Sequence, residues 1–183
     1  MARRTQRSTL VNTKPGVSSR VRRKRLAHRT AIHEAGHAVM AYLSGRRIGA
    51  MSATPTGEIL GQLEYRGFTW FPARALDDVR ARRKVETEIM IAMAGLAAEH
   101  VHSRPVNLAG AVVDVQRALN IALAATEDAE EATAFVNWLF VRARNRLRIP
   151  ACARAVKKLA AELARRGSLS AVEVRTLLRR SLD

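Results

Sequence analysis

One stretch, "IMIAMAGLAAEH" (residues 89–100), constrains this chain more than any other. Its apolar residues cover most sides of a helix instead of one stripe, which places that helix at the centre of a core. It reads as the second half of a long helical pattern from about Ala75 to His102, with a break near Arg83. The clean apolar run, Ile89 to Ala98, is far short of the ~20 residues that a membrane span requires. A chain of 183 residues is one domain of common size, or one domain with a tail. Aromatics make up only 4%, so Ala, Leu, Val, Ile and Met must fill the interior. Ten glycines and five prolines in an Ala- and Leu-rich chain point to helices.

The remaining pattern supplies further helices at about Thr30–Ser44, Gly110–Thr126, 129–147 and 150–166, with a short last one to about Arg180. Gly45 and Gly167 are natural helix stops, Pro150 suits a first helical turn, and Ser170 with Glu173 spells a capping box. Residues 48–71 differ. "IGAMSAT", "ILGQLEY" and "FTWF" are short and separated by Pro55-Thr56-Gly57 and Arg66-Gly67, which predicts two or three short antiparallel strands.

Charge is unevenly spread. The net charge is +16, and residues 1–29 hold ten Lys/Arg and no Asp or Glu; the other 22 basic and 16 acidic residues leave +6 for the body. Polar and without apolar periodicity, residues 1–28 read as a basic, disordered arm ahead of a domain at 29–183. Such an arm could contact nucleic acid or an anionic membrane surface, Arg22, Arg23, Lys24 and Arg25 being its densest cluster. No aromatic residue lies between its charges to stack on bases. Cys152 is the only cysteine, which excludes an internal disulfide and a cysteine-rich zinc site. With no secretory signal pattern at the N-terminus, a soluble, cytoplasmic protein is expected.

Residues 33–37 read "HEAGH" on a helix predicted independently of them. Residues four apart share a helix face, so His33 and His37 can aim ring nitrogens at one ion. Glu34 is turned about 100° away and can reach a water on the ion's open side. Two neutral imidazoles to hold zinc and a carboxylate to take a proton from water are what this spacing provides. A metzincin would need histidine six residues after His37, where Leu43 stands. The third ligand is open among Glu86, Glu88, Glu99, His100, His102, Asp114 and Glu127. Asp114 is distinctive as a lone carboxylate among Val112, Val113 and Val115, a costly place unless it caps a helix or meets a cation.

Taken in order, several segments resemble the zinc peptidase domain of FtsH-type ATP-dependent metalloproteases. "HEAGHAVMAYLSG" (33–45) resembles that family's zinc-binding helix, and "IAMAGLAAEHV" (91–101) its apolar helix ending in Ala-Ala-Glu. "GAVVDVQRALNIA" (110–122) is similar to the segment carrying its aspartate ligand, and "LAAELARRGSLSAVEVRTLL" (159–178) to its closing helices. The resemblance implies a mainly helical fold with a small antiparallel β element near the active site. It implies Zn2+ held by His33, His37 and Asp114, Glu34 as general base, and Glu99 orienting a ligand or bracing the helix. It also implies peptide substrates that add as a strand at the sheet edge. Two departures stand out: no GxxxxGK[ST] loop occurs in these residues, and Val113 replaces the family's usual asparagine before its aspartate.

The resulting expectation is a zinc metalloendopeptidase that cleaves unfolded segments or a specific partner protein without its own ATPase, unless a separate ATPase docks. The alternative is a non-enzymatic, peptidase-derived interaction module that binds nucleic acid or an assembly through its basic N-terminal arm.

Overall fold

The apolar stretch around Ile89 lies inside a single unbroken helix, with no interruption at Arg83. The computed structural model describes residues 19–53, 62–65, 76–103 and 108–182. In chain order these form α1 (Ser19–Leu43), β1 (Ile48–Ser52), β2 (Gln62–Tyr65), α2 (Val79–His102), α3 (Leu108–Leu123), α4 (Ala129–Arg148), α5 (Pro150–Arg166), β3 (Ser168–Leu169) and α6 (Ala171–Leu182). The fold is mainly α with a small antiparallel sheet.

Every residue from Ile91 to Glu99 is buried, because α2 divides the interior in two. Ile91, Ala94, Ala97 and Ala98 face one cluster, shared with α1, α5, α6 and the sheet. Val85, Ile89, Ala92, Met93 and Leu96 face the other, shared with α3 and α4. A helix between two cores has no solvent side over that length, which is why its sequence lacks a polar stripe. Asp78 caps its N-terminus by accepting a hydrogen bond from the Ala81 amide at 2.6 Å.

Local signals place most boundaries. Gly45 takes a φ of 70°, and the amides of Gly45 and Arg46 return to the carbonyls of Tyr42 and Ala41, a Schellman stop for α1. Asp128 caps α4, and Pro150 opens α5. Ser170 and Glu173 exchange capping bonds at the start of α6, 2.9 Å from the Ser170 amide to Glu173 Oε2 and 3.4 Å from the Glu173 amide to Ser170 Oγ.

One expected boundary needs correction, and one strand was not expected. α1 begins at Ser19, well before Thr30, so residues 19–28, expected in a disordered arm, are helix; residues 1–18 lie outside the described residues. Arg, Lys, Ala and Leu favour helix without needing an apolar partner, whereas periodicity marks only the packed part. The sheet has the order β2-β1-β3, and its third strand comes from residues 168–169, far along the chain. Met51 and Ser52 pair with Leu169 and Ser168, a long-range contact with no local signature. "FTWF" lies outside the described residues.

Candidate metal centre

The site begins where α1 crosses α2, and glycine makes the crossing close. A Cβ on Gly36 would collide with the Ala94 carbonyl and Ala98 Cβ, so these backbones meet only because none is present. A Cβ on Gly95 would collide with Nε2 of both His33 and His37. The imidazoles therefore occupy the space a side chain at 95 would fill. Glycine inside a helix costs about 1 kcal/mol relative to alanine, and here that cost makes room for the rings.

Both rings are fixed at Nδ1. His33 Nδ1 lies 2.8 Å from Glu99 Oε1, and His37 Nδ1 lies 2.7 Å from the Ile91 carbonyl oxygen. A carbonyl oxygen only accepts, so the proton of His37 sits on Nδ1; the carboxylate imposes the same tautomer on His33. The Nε2 atoms then turn lone pairs toward one oxygen, Asp114 Oδ2 on α3, at 2.7 Å from His33 and 3.1 Å from His37. The rings are 4.8 Å apart between centroids and inclined by 70°.

Two lone pairs and a carboxylate oxygen facing one another at these distances need a cation to bind them. Protons are one answer: burial disfavours a charged His33, but hydrogen bonds to Asp114 and Glu99 and the charges of Asp114 and Glu34 outweigh it and push the ring up to about 10. Asp114 is likewise held well below the usual carboxylate range: burial opposes this, but the charge of His37 and the hydrogen bonds to both rings prevail. A divalent ion is the other answer, and the donor set fits it. The three side chains offer one ligand atom each, all within 4.8 Å of one another, and both rings already have the outer acceptor that metal-bound histidine normally has. His33 and His37 are buried and Asp114 half-buried, so the cluster opens on the aspartate side.

Glu34 is 7% exposed and has no hydrogen-bond partner among the described residues. Burial raises its pKa above the ordinary carboxylate value, Coulombic attraction to His37 and His33 works against that shift, and the charge of Asp114 adds to it. A carboxylate beside the cluster with an unused acceptor is suited to receiving a proton.

Of the open third-ligand candidates, Asp114 alone faces both imidazoles. Glu99 stands behind His33, braced by Arg29 Nη2 at 3.4 Å. Glu86 pairs with Arg82, Glu88 with Arg46, and His100 stacks edge-on against Phe140. His102 lies at the end of α2, and the Glu127 amide donates to Glu131. Arg22, Arg23, Lys24 and Arg25 fall on the first turns of α1, and Arg25 is exposed. Sequence reasoning missed Gly95, the Ile91 carbonyl and Arg29. Gly95 had a signal, a glycine inside a strong helical pattern, whereas a backbone carbonyl carries none.

The sequence model of peptidase family M41 matches residues 20–129, a span that takes in α1, the first two strands, α2 and α3. No curated protein matches the chain.

Proposed function

The chain belongs to peptidase family M41, the family of FtsH-type zinc metalloprotease domains, and from that premise we propose that it is a zinc-dependent endopeptidase. One observation carries the proposal: the Nε2 atoms of His33 and His37 converge on one oxygen of Asp114 while both Nδ1 atoms are held from behind. His33, His37 and Asp114 would hold the ion, which when bound supplies an acidified water and a polarised substrate carbonyl. Glu34 accepts the proton of the attacking water and passes it to the departing amine. Glu99 and the Ile91 carbonyl keep the two rings in the tautomer that leaves Nε2 free.

Peptide recognition falls to the sheet. Among the described residues β2 pairs only with β1, leaving one edge free for an extended peptide to join. That edge is near the cluster, since Arg117, one turn beyond Asp114, lies over the Tyr65 ring of β2 at 5.4 Å. Recognition through backbone hydrogen bonds reads sequence loosely. The substrates of this reading are segments already unfolded, exposed loops or one particular protein, unless a separate ATPase supplies unfolding; these residues contain no nucleotide-binding loop.

Two measurements test this. Metal analysis of the purified protein should give about one zinc per chain, lost in His33→Ala and in His37→Ala. Glu34→Gln should keep the zinc while peptide cleavage falls by about 10²–10⁴-fold. Undiminished cleavage would remove Glu34 from the mechanism, and a metal-free wild type would remove the zinc.

A further inference from the structure

Outside the cluster, α2 buries a second charged centre. Glu88 is 0% exposed, the most completely enclosed charged side chain among the described residues. Arg46 Nη2, from the turn after α1, lies 2.7 Å from its Oε1, and Arg117 Nη2, from α3, lies 3.6 Å from its Oε2. The Arg117 guanidinium also covers the Tyr65 ring. One carboxylate thus gathers the α1–β1 turn, edge strand β2, α2 and α3.

Stability is a poor explanation for it. Removing a carboxylate and guanidinium from water costs about as much as their attraction returns, and apolar groups of similar volume commonly do as well. Val85 and Ile89, beside Glu88 on α2, show that apolar residues fit this part of the core. Neither oxygen of Glu88 has an aligned hydrogen bond, so these contacts are not tuned for strength. What an ion pair adds is direction. Among the described residues of α3 only Ala111, Ala118 and Ala122 are fully enclosed, with Val115, Leu119 and Ile121 partly buried against the same core, and small enclosed side chains set how near a helix lies more firmly than how it is rotated or how far it slides. Arg117 follows Asp114 by three residues, so both project from one side of α3. A fixed Arg117 fixes the turn that presents Asp114.

We propose that Glu88, acting through Arg117, is a positioning residue that sets the rotation of α3 and so holds Asp114 at the two imidazoles, while Arg46 and Tyr65 bring the edge strand to the same anchor. The proposal rests on zinc being held by His33, His37 and Asp114. It assigns Glu88 no contact with substrate or metal.

The test compares wild type with Arg117→Met, Arg117→Lys and Glu88→Gln, using Arg82→Met, from the exposed pair with Glu86, as control. Zinc affinity is read by chelator competition, and Tm is measured on the metal-free proteins. Arg117→Met and Glu88→Gln should each weaken zinc binding about tenfold, Arg117→Lys should recover part of the loss, and Arg82→Met should change nothing. The Arg117 side chain is 45% exposed, so its variants should fold even if Glu88→Gln does not. Lower Tm with unchanged zinc affinity in Arg117→Met would make the cluster a structural ion pair and overturn the proposal. A wild type that binds no zinc would instead overturn the zinc reading on which it stands.

Discussion

Glu88 and Glu99 are eleven residues apart on α2, three turns and about 20° of rotation, so they emerge from nearly the same face. Both are almost wholly buried, yet they do different work. Glu99 accepts from His33 Nδ1 at 2.8 Å and takes Arg29 as a second partner, so its charge is directed onto a ring that faces Asp114. Glu88 meets two arginines and, among the described residues, no imidazole. Glu34 is a third case, buried beside both imidazoles but without a hydrogen bond among the described residues. Burial does not separate these three glutamates; the partner does. An imidazole makes the carboxylate an orienting group, a pair of guanidiniums makes it an anchor, and the lack of a partner leaves it open to a proton.

That contrast can be attacked where it should be widest. In the metal-free protein His33 is raised from 6.5 to about 10, so the stability it contributes is complete below pH 6.5 and is lost as pH rises towards 10. Thermal melts of stripped protein should therefore lose several degrees across that window. Zinc-loaded protein should not, because the ion replaces the proton. Glu99→Gln should flatten the slope and Glu88→Gln should leave it; equal slopes in both variants would erase the distinction.

Next in size is zinc affinity. Glu99→Gln removes the acceptor that fixes the ring of a ligand and should cost about 10–100-fold, more than Glu88→Gln, in the same chelator competition. A smaller effect, of opposite sign, is expected at Glu34. Its raised pKa means that the folded state favours the protonated form, so at pH 7 the ionised group costs stability. Metal-free Glu34→Gln should melt a few degrees above wild type at pH 7, with the gain disappearing below pH 4.5. A lower melting point at pH 7 would show that Glu34 has a partner in solution. Smallest, and outside all three networks, Ser170→Ala removes a cap from α6 and should cost about 1 kcal/mol with zinc affinity unchanged. It sets the scale of a local defect.

Much of this was legible in the sequence, unevenly. Pro150, Gly167 and the Ser170–Glu173 pair announce α5 and α6 because capping chemistry acts within a few residues. His33, Glu34 and His37 were legible for the same reason: four residues on a helix are one turn, and the helix could be read from its apolar spacing. The start of α1 was misjudged because periodicity reports packing rather than helicity. β3 escaped because two residues pair with a strand more than a hundred positions earlier.

By itself, the sequence determined what is local: a mainly helical chain, its stops and caps, a buried central helix, and two histidines on one face with a glutamate beside them. It narrowed the distant partners to a handful of acids and histidines, and family likeness pointed to Asp114 among them. Only the tertiary structure decided which acid meets the rings, which one stands behind His33 and which is bound to arginine. Those choices depend on where α3 and the α1–β1 turn lie against α2, and that follows from close packing at Gly36 and Gly95 and burial over the whole chain.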